Sequence, residues 1–368
     1  MERGKISALQ MGWMMYPVII TTGILFLPST TFNYAGRDLW LSPIWASITG
    51  FLIVLIVNRL NQFYPKETII QYSSHILGTV LGKVVGVVIL LFYLQVASDI
   101  IWTYGEFLIG YFLPQTPQIV VLGSMTLVCA FAVRGGLEVV GRLAEMIGPI
   151  FILLLIFIVI LLLPDAEAKH MFPILGNGIL PSIKGAIFTN NFFNQFLILS
   201  FFFPFLADRK KGRKWGVISV FAVLLTMVIT NLITLFVLGE ATDSFGAPVM
   251  TAVSYISIAD FLSHLESLVM AIWIAGAFTK IIMFYYVLVL GTAQWLNLSD
   301  YRPIVFPVGF LLVLWAVWKN PNLPSFIHYA QTVTIILDPI IQTVIPLFLL
   351  LVAYLRNGKH QEKGEPEK

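Results

Sequence analysis

Gln95, Asp99, Trp102 and Glu106 are spaced by 4, 3 and 4 positions in a run otherwise made largely of Leu, Ile, Val and Phe, so they share one stripe of an α-helix. An ionised carboxylate in such a run is expensive and is rarely kept without a partner or a task. Asp99, near the middle, is therefore a candidate for ligand or proton binding, with a buried structural pair as the competing reading. Glu106 lies two turns nearer the end of the run and reaches water. A second stripe is formed by Trp273, Gly276 and Lys280 in "WIAGAFTK". For Lys280 three readings stand open: an ion pair with Asp99 or Asp338, a positive charge where a bound sodium ion would otherwise sit, and a proton carrier.

Backbone groups offer a second kind of chemistry. The stretch "TTGILFLP" holds Thr21, Thr22, Gly23, Ile24 and Leu25 ahead of Pro28. Glycine lets a helix open and proline withdraws one N–H. Groups freed in this way inside a bilayer are tolerated only where they line a cavity or face protein, and half-helix ends can hold a carboxylate or an ammonium. The bland reading is a proline kink with small residues for packing. A second marked stretch, "IFTNNFFNQFLILSFFFPF", carries Asn190, Asn191, Asn194 and Gln195, with Pro204 near its far end.

The elements that must position these residues follow from composition. Hydrophobic residues make up 58% of the 368, charged residues 11%, and the mean hydropathy is +0.89, well outside the range of a water-soluble domain. The expected fold class is an all-α polytopic membrane protein. Ten runs approach or exceed the roughly 20 apolar residues of a crossing: about 8–34, 40–62, 84–112, 117–134, 145–163, 184–206, 215–238, 267–294, 303–318 and 332–355. They are expected to form a single transmembrane domain over 1–355, with a disordered cytoplasmic tail at 356–368. The first run is too long for a signal-peptide core and shows no small-residue cleavage site, so it is expected to remain as a crossing. Of the 22 Lys and Arg, 17 fall on the side of the two termini, four on the other (Arg37, Lys169, Lys184, Lys319), and Lys280 inside a crossing. Both termini are thus expected to be cytoplasmic.

Ten crossings divide into five and five, and an odd-numbered unit that repeats returns inverted. The expected repeats cover about 8–163 and 184–355, and transporters built this way place their sites where the first helix of each half is broken. Helices 1 and 6, which carry the two marked stretches, are those expected to be broken. Residues 63–83 carry Ile69, Tyr72, Ile76, Val80 and Leu81 at helical spacing, as an amphipathic surface helix would. The loop 239–266 reads either as a cap over a pocket or as a linker on the bilayer surface.

Several classes drop out. The single cysteine, Cys129, excludes disulfides and thiolate metal sites, and the five histidines have no ligand spacing. No nucleophile constellation and no phosphate-binding glycine loop occurs, so neither an enzyme nor a cofactor is expected. The basic run "RKKGRK" reads as a topogenic signal; no nucleic-acid partner is expected.

Read together, "TTGILFLP", "RGGLEVVGRLAEMIGPIF" (134–151), "FLSHLESLVMAIWIAGAFTKI" (261–281) and "LSDYR" resemble the integral-membrane B subunit of nutrient germinant receptors of endospore-forming bacteria. The likeness runs from about residue 5 to 355. The family often has Gly-Ala-Gly where this chain has Thr21-Thr22-Gly23. It is similar in turn to the amino acid-polyamine-organocation transporters, which implies the five-plus-five inverted repeat. The resemblance also implies A and C partner subunits, membrane lipid around the chain, and the inner membrane of the spore. It implies a pocket on Thr21 to Leu25, on Asn190 to Gln195, and on the stripes holding Gln95, Asp99 and Trp102 and holding Trp273 and Gly276. The function expected is a sensor that binds a small nutrient, an amino acid favoured, and signals to its partners. A proton-coupled amino-acid transporter with Asp99 or Lys280 as titrating group is the competing reading, and a scaffold with a vestigial pocket a third.

Overall fold

A chain this apolar satisfies its backbone N–H and C=O groups within its own helices. The computed structural model describes residues 2, 4–254 and 265–361, and these form fifteen α-helices with one isolated bridge, Ile6 to Leu206. The first five crossings are α1 (Ala8–Ala35), α2 (Ser42–Phe63), α4 (Thr79–Tyr111), α5 (Gln118–Gly135) and α6 (Leu137–Leu162), with the short α3 (Ile69–Leu77) before α4. The sixth is composite: α7 (Leu180–Asn194), a 3-10 turn (Gln195–Ile198), the single turn α8 (Leu199–Phe202) and a second 3-10 turn (Phe203–Phe205). Then follow α9 (Arg209–Leu238), α10 (Pro248–Ser254), α11 (Leu265–Trp295) and α12 (Val305–Lys319). The tenth crossing joins α13 (Leu323–Tyr329), α14 (Ile335–Pro339) and α15 (Ile345–Gln361) through two π-helical turns, Ala330–Thr334 and Ile340–Val344.

Nine helical stretches among the described residues are long and apolar enough to cross a membrane. The first, Ala8–Phe63, has 56 residues, nearly three times what about 30 Å of hydrocarbon requires at 1.5 Å per residue. A 3-10 turn at Gly36–Leu41 divides it into α1 and α2, and the count becomes the ten expected.

Helix α1 is the hub: it packs against α9, α7, α6 and α11, while α2 packs against α7 and α9. Its start is fixed by Ser7, whose hydroxyl accepts the Gln10 N–H while the Gln10 side chain accepts the Ser7 N–H, a reciprocal cap. Ahead of it Ile6 exchanges backbone bonds with Phe205 and Ala207, which ties the chain start to the inner end of the sixth crossing.

Four expectations change. Helix one is not broken; α1 is continuous through Gly23 and Pro28. The hydroxyls of Thr21, Thr30 and Thr31 donate to the carbonyls of Pro17, Phe26 and Leu27, and side-chain bonds of this kind let a helix absorb proline without unwinding. The sixth helix is tightened into 3-10 turns, not opened. The amphipathic helix expected over 63–83 ends at Leu77: Gly78 adopts φ +88°, a left-handed geometry suited to glycine, and exposed Val80 and Leu81 belong to α4. The tail expected to be disordered from 356 is helical to Gln361. Arg356 there donates to the carbonyls of His75 and Ile76, satisfying groups that the end of α3 leaves open. Residues 362–368, Arg3 of the charge tally, and the 255–264 part of the expected cap and of the "FLSHLE" motif lie outside the described residues.

Candidate functional site

The middle of α1 faces a small cavity of about 50 Å³, lined by Thr21, Ile24 and Leu25 of α1 and Trp273 of α11, with α6, α9 and α10 completing its wall. The sixth crossing, α7 to α8, contributes no residue to this lining. The wall of the cavity is almost wholly apolar. Pro28 has no N–H to give to the Ile24 carbonyl, and the indole Nε1 of Trp273 is buried without a hydrogen-bond partner among the described residues. Thr21 spends its hydroxyl on the Pro17 carbonyl at 2.6 Å. The Trp273 ring is fixed by Tyr104, stacked at 5.8 Å, and by Phe107 at 4.2 Å. Gly276 is where α11 comes closest to α1: a β-carbon there would lie 2.4 Å from Thr21 Oγ1. Gly23 is equally closed, with Met227 Cε 2.8 Å from the place of a β-carbon.

One turn beyond Gly276, Lys280 is 1% exposed. Its Nζ donates to Thr22 Oγ1 at 2.7 Å and lies 5.9 Å from the centres of the Phe192 and Phe284 rings. The ion pair expected with Asp99 or Asp338 is not formed. Asp99 instead meets Lys319, whose Nζ is 3.0 Å from both carboxylate oxygens, and accepts from Asn320 at 2.9 Å and Gln95 at 2.6 Å. Trp315 donates to Gln95 at 3.2 Å. The reason is geometric: Lys319, at the end of α12, folds its long side chain inward across the Tyr329 ring, 3.6 Å away. Asp338, 8% exposed, lies within electrostatic reach of Asp99 and Lys319.

The remaining expected residues sit elsewhere. Asn190 accepts from Thr49 of α2 at 3.1 Å. Asn191 donates to Thr334 and Asn194 accepts from Thr343, both on the tenth crossing. Gln195 begins the 3-10 turn. Trp102 stacks on Phe326 at 4.8 Å. The expected residues thus divide into an α1–α11 group around the cavity and an outer polar group on α4, α7 and the tenth crossing.

Sequence reasoning missed Thr230 and Thr234 of α9, and Val249 and Ala252 of α10, which complete the cavity. The first two had a signal: Thr226, Thr230 and Thr234 recur every fourth residue in an apolar helix, a one-sided hydroxyl stripe. Helix α10 gave none, being a short piece of the 239–266 loop; its place over the cavity is that of a cap.

The arrangement matches known proteins at two levels. Over the whole fold, the chain superposes on MhsT in complex with L-phenylalanine with a TM-score of 0.65 at 16% identity, covering 96% of this chain and 89% of that one. It superposes on a substrate-bound, outward-open Na⁺-coupled sialic acid symporter with a TM-score of 0.67 at 11% identity, covering 96% and 79%. Both likenesses concern the fold, that of LeuT-type transporters. In sequence, the chain is 26% identical to spore germination protein KB of Bacillus subtilis over the full length of both, and 25% identical to spore germination protein YndE of the same organism over 98% of each. The sequence model described as "Spore germination protein" matches residues 5–324, a span that takes in every element of the cavity, and the chain belongs to that family.

Proposed function

We propose that this protein is the nutrient-sensing membrane subunit of a spore germination receptor, and that it binds a small nutrient, an amino acid favoured, between α1 and α11. The single observation that carries this reading is the small, almost wholly apolar cavity between α1 and α11, closed by Trp273, whose indole N–H has no partner among the described residues. An N–H suits a carboxylate, and an apolar wall suits a small side chain. At about 50 Å³ the cavity holds little more than water, so the nutrient enters an opened form and selects it over the closed one. Partner A and C subunits then read the change in α1, in the inner spore membrane with both termini cytoplasmic. The domain is one unit over 1–355, built as five-plus-five repeats.

The test is equilibrium binding of single amino acids, sugars and nucleosides to the purified protein, followed by uptake assays in liposomes. Saturable binding of an amino acid, lost in Trp273→Ala and without accumulation under a pH gradient, is the expected outcome. Accumulation of the amino acid driven by the gradient overturns the sensor reading in favour of a proton-coupled transporter, which the LeuT-type fold also accommodates.

A further inference from the structure

We propose that a small monovalent cation, with sodium as the probe, binds between α7 and the tenth crossing, ligated by the Asp338 carboxylate and by amide oxygens of Asn191 and Gln342.

Three observations carry this. The first is charge: Asp99, Asp338 and Lys319 are within electrostatic reach of one another, and the ammonium is already bonded to both oxygens of Asp99 at 3.0 Å. Two carboxylates against one ammonium leave one negative charge in excess, and Asp338, more than nine-tenths buried, receives no hydrogen bond among the described residues. A buried charge in that position needs a counter-charge.

The second is the set of polar atoms without partners. Asn191 Oδ1, Asn194 Nδ2, Gln195 Oε1 and both amide atoms of Gln342 are buried and unbonded among the described residues, although Gln342 and Asn194 are each 1% exposed. Native proteins rarely leave such atoms idle. The third is the helix itself. Asn191 bonds Thr334 and Asn194 bonds Thr343, and Asp338 lies between these two anchors. The π-turn Ile340–Val344 follows directly on the helical turn that holds Asp338 and carries Gln342; π-turns are frequent at functional sites.

A proton on Asp338 would cancel the charge and leave the amide oxygens idle. A divalent ion would satisfy the oxygens and leave a positive excess. A hard monovalent cation, which takes oxygen ligands, both cancels the charge and occupies amide oxygens. This site is separate from the cavity of α1 and α11, and its test involves no nutrient.

The experiment is thermal unfolding of the purified full-length protein in nanodiscs while sodium chloride replaces choline chloride at fixed ionic strength and pH. Sodium is expected to raise the melting temperature saturably, as a ligand of the folded state does, and choline is not. Asp338→Asn abolishes the rise, and Gln342→Leu raises the half-saturating sodium concentration about fivefold, as loss of one neutral oxygen ligand should. Equal melting in both salts, an undiminished rise in Asp338→Asn, or a full rise from acidification in choline with nothing added by sodium overturns the proposal. If Asp338→Asn does not fold, saturable binding of radioactive sodium to the wild-type protein, competed by sodium and not by choline, decides it, and its absence overturns the site.

Discussion

Lys280 Nζ stands 2.7 Å from Thr22 Oγ1, so the one basic side chain buried in α11 is held by a hydroxyl in the middle of α1. No carboxylate pairs with it among the described residues. Among the described residues α1 and α11 are therefore joined by a single side-chain hydrogen bond, one turn from Gly276, which also brings them into contact.

Lys280→Met preserves volume and removes the amine. Because no buried partner charge is orphaned, protein abundance in the membrane is expected to stay normal. The half-maximal nutrient concentration for germination should move by about fivefold or more, the scale of a coupling near 1 kcal/mol. Measurement of both quantities in spores carrying the substitution checks this; lost abundance with an unchanged response would assign Lys280 to stability alone.

Gly23→Leu drives a side chain into Met227 Cε, 2.8 Å from where its β-carbon must go. Overpacking of this kind costs about 1–3 kcal/mol, enough to part α1 from α9 beside the cavity. The expected result is a protein present in the membrane and spores without nutrient response. Adding Met227→Ala should restore part of the response; normal germination of the single variant at limiting nutrient would exclude the role given to this part of α1.

Lys319→Met leaves Asp99 without the ammonium that pairs with it. Removing one member of a buried pair is strongly destabilising, on the order of 3 kcal/mol, and the melting temperature of the purified protein should fall accordingly. Asp99→Asn combined with Lys319→Met should recover most of the loss, since no unpaired charge is created by the pair. A double variant as unstable as the single one would count against the ion pair as the cause.

Glu2 gives a pH dependence. Burial disfavours its charge, but bonds from Gly4 N–H, the Tyr286 hydroxyl, Leu137 N–H and the Tyr301 hydroxyl outweigh this and hold its carboxyl below the usual glutamate value. The stabilisation is thus complete above the ordinary glutamate range and is lost as the pH falls through the lowered value of the folded state. The protection of residues 4–8 against hydrogen exchange, taken relative to the intrinsic rate at each pH, should fall on acidification in the wild type. Glu2→Gln should show low protection at every pH, and a variant as protected as the wild type at neutral pH would show that the carboxylate does not hold the chain start.

Much of the fold was legible because the bilayer imposes it. A crossing needs a fixed length of apolar chain, and the ten runs read from hydropathy reappear as α1, α2, α4, α5, α6, the α7–α8 composite, α9, α11, α12 and the α13–α15 composite. Lysine placement gave an expected topology by the same logic. In the site, the Trp273, Gly276 and Lys280 stripe and the Thr21 to Leu25 stretch were readable because helical spacing fixes which residues share a face.

Hydropathy and helical spacing thus specify the set of helices and the faces on which their rare polar groups lie. Which groups meet was decided only by packing. Asp99 and Lys319 are separated by 220 positions, and nothing local tells a lysine at the end of a helix to fold inward rather than reach for water. Proline and glycine in α1 gave the same signal for a broken helix as for an intact one, since the difference rests on where three threonine hydroxyls point. Within the Asn191 to Gln195 stretch, Asn191 and Asn194 bond the tenth crossing while Phe192 lies against Gly23 of α1, a division that depends on which helices flank α7. Spacing fixes direction along one helix, and only the crossing of helices fixes what lies in that direction.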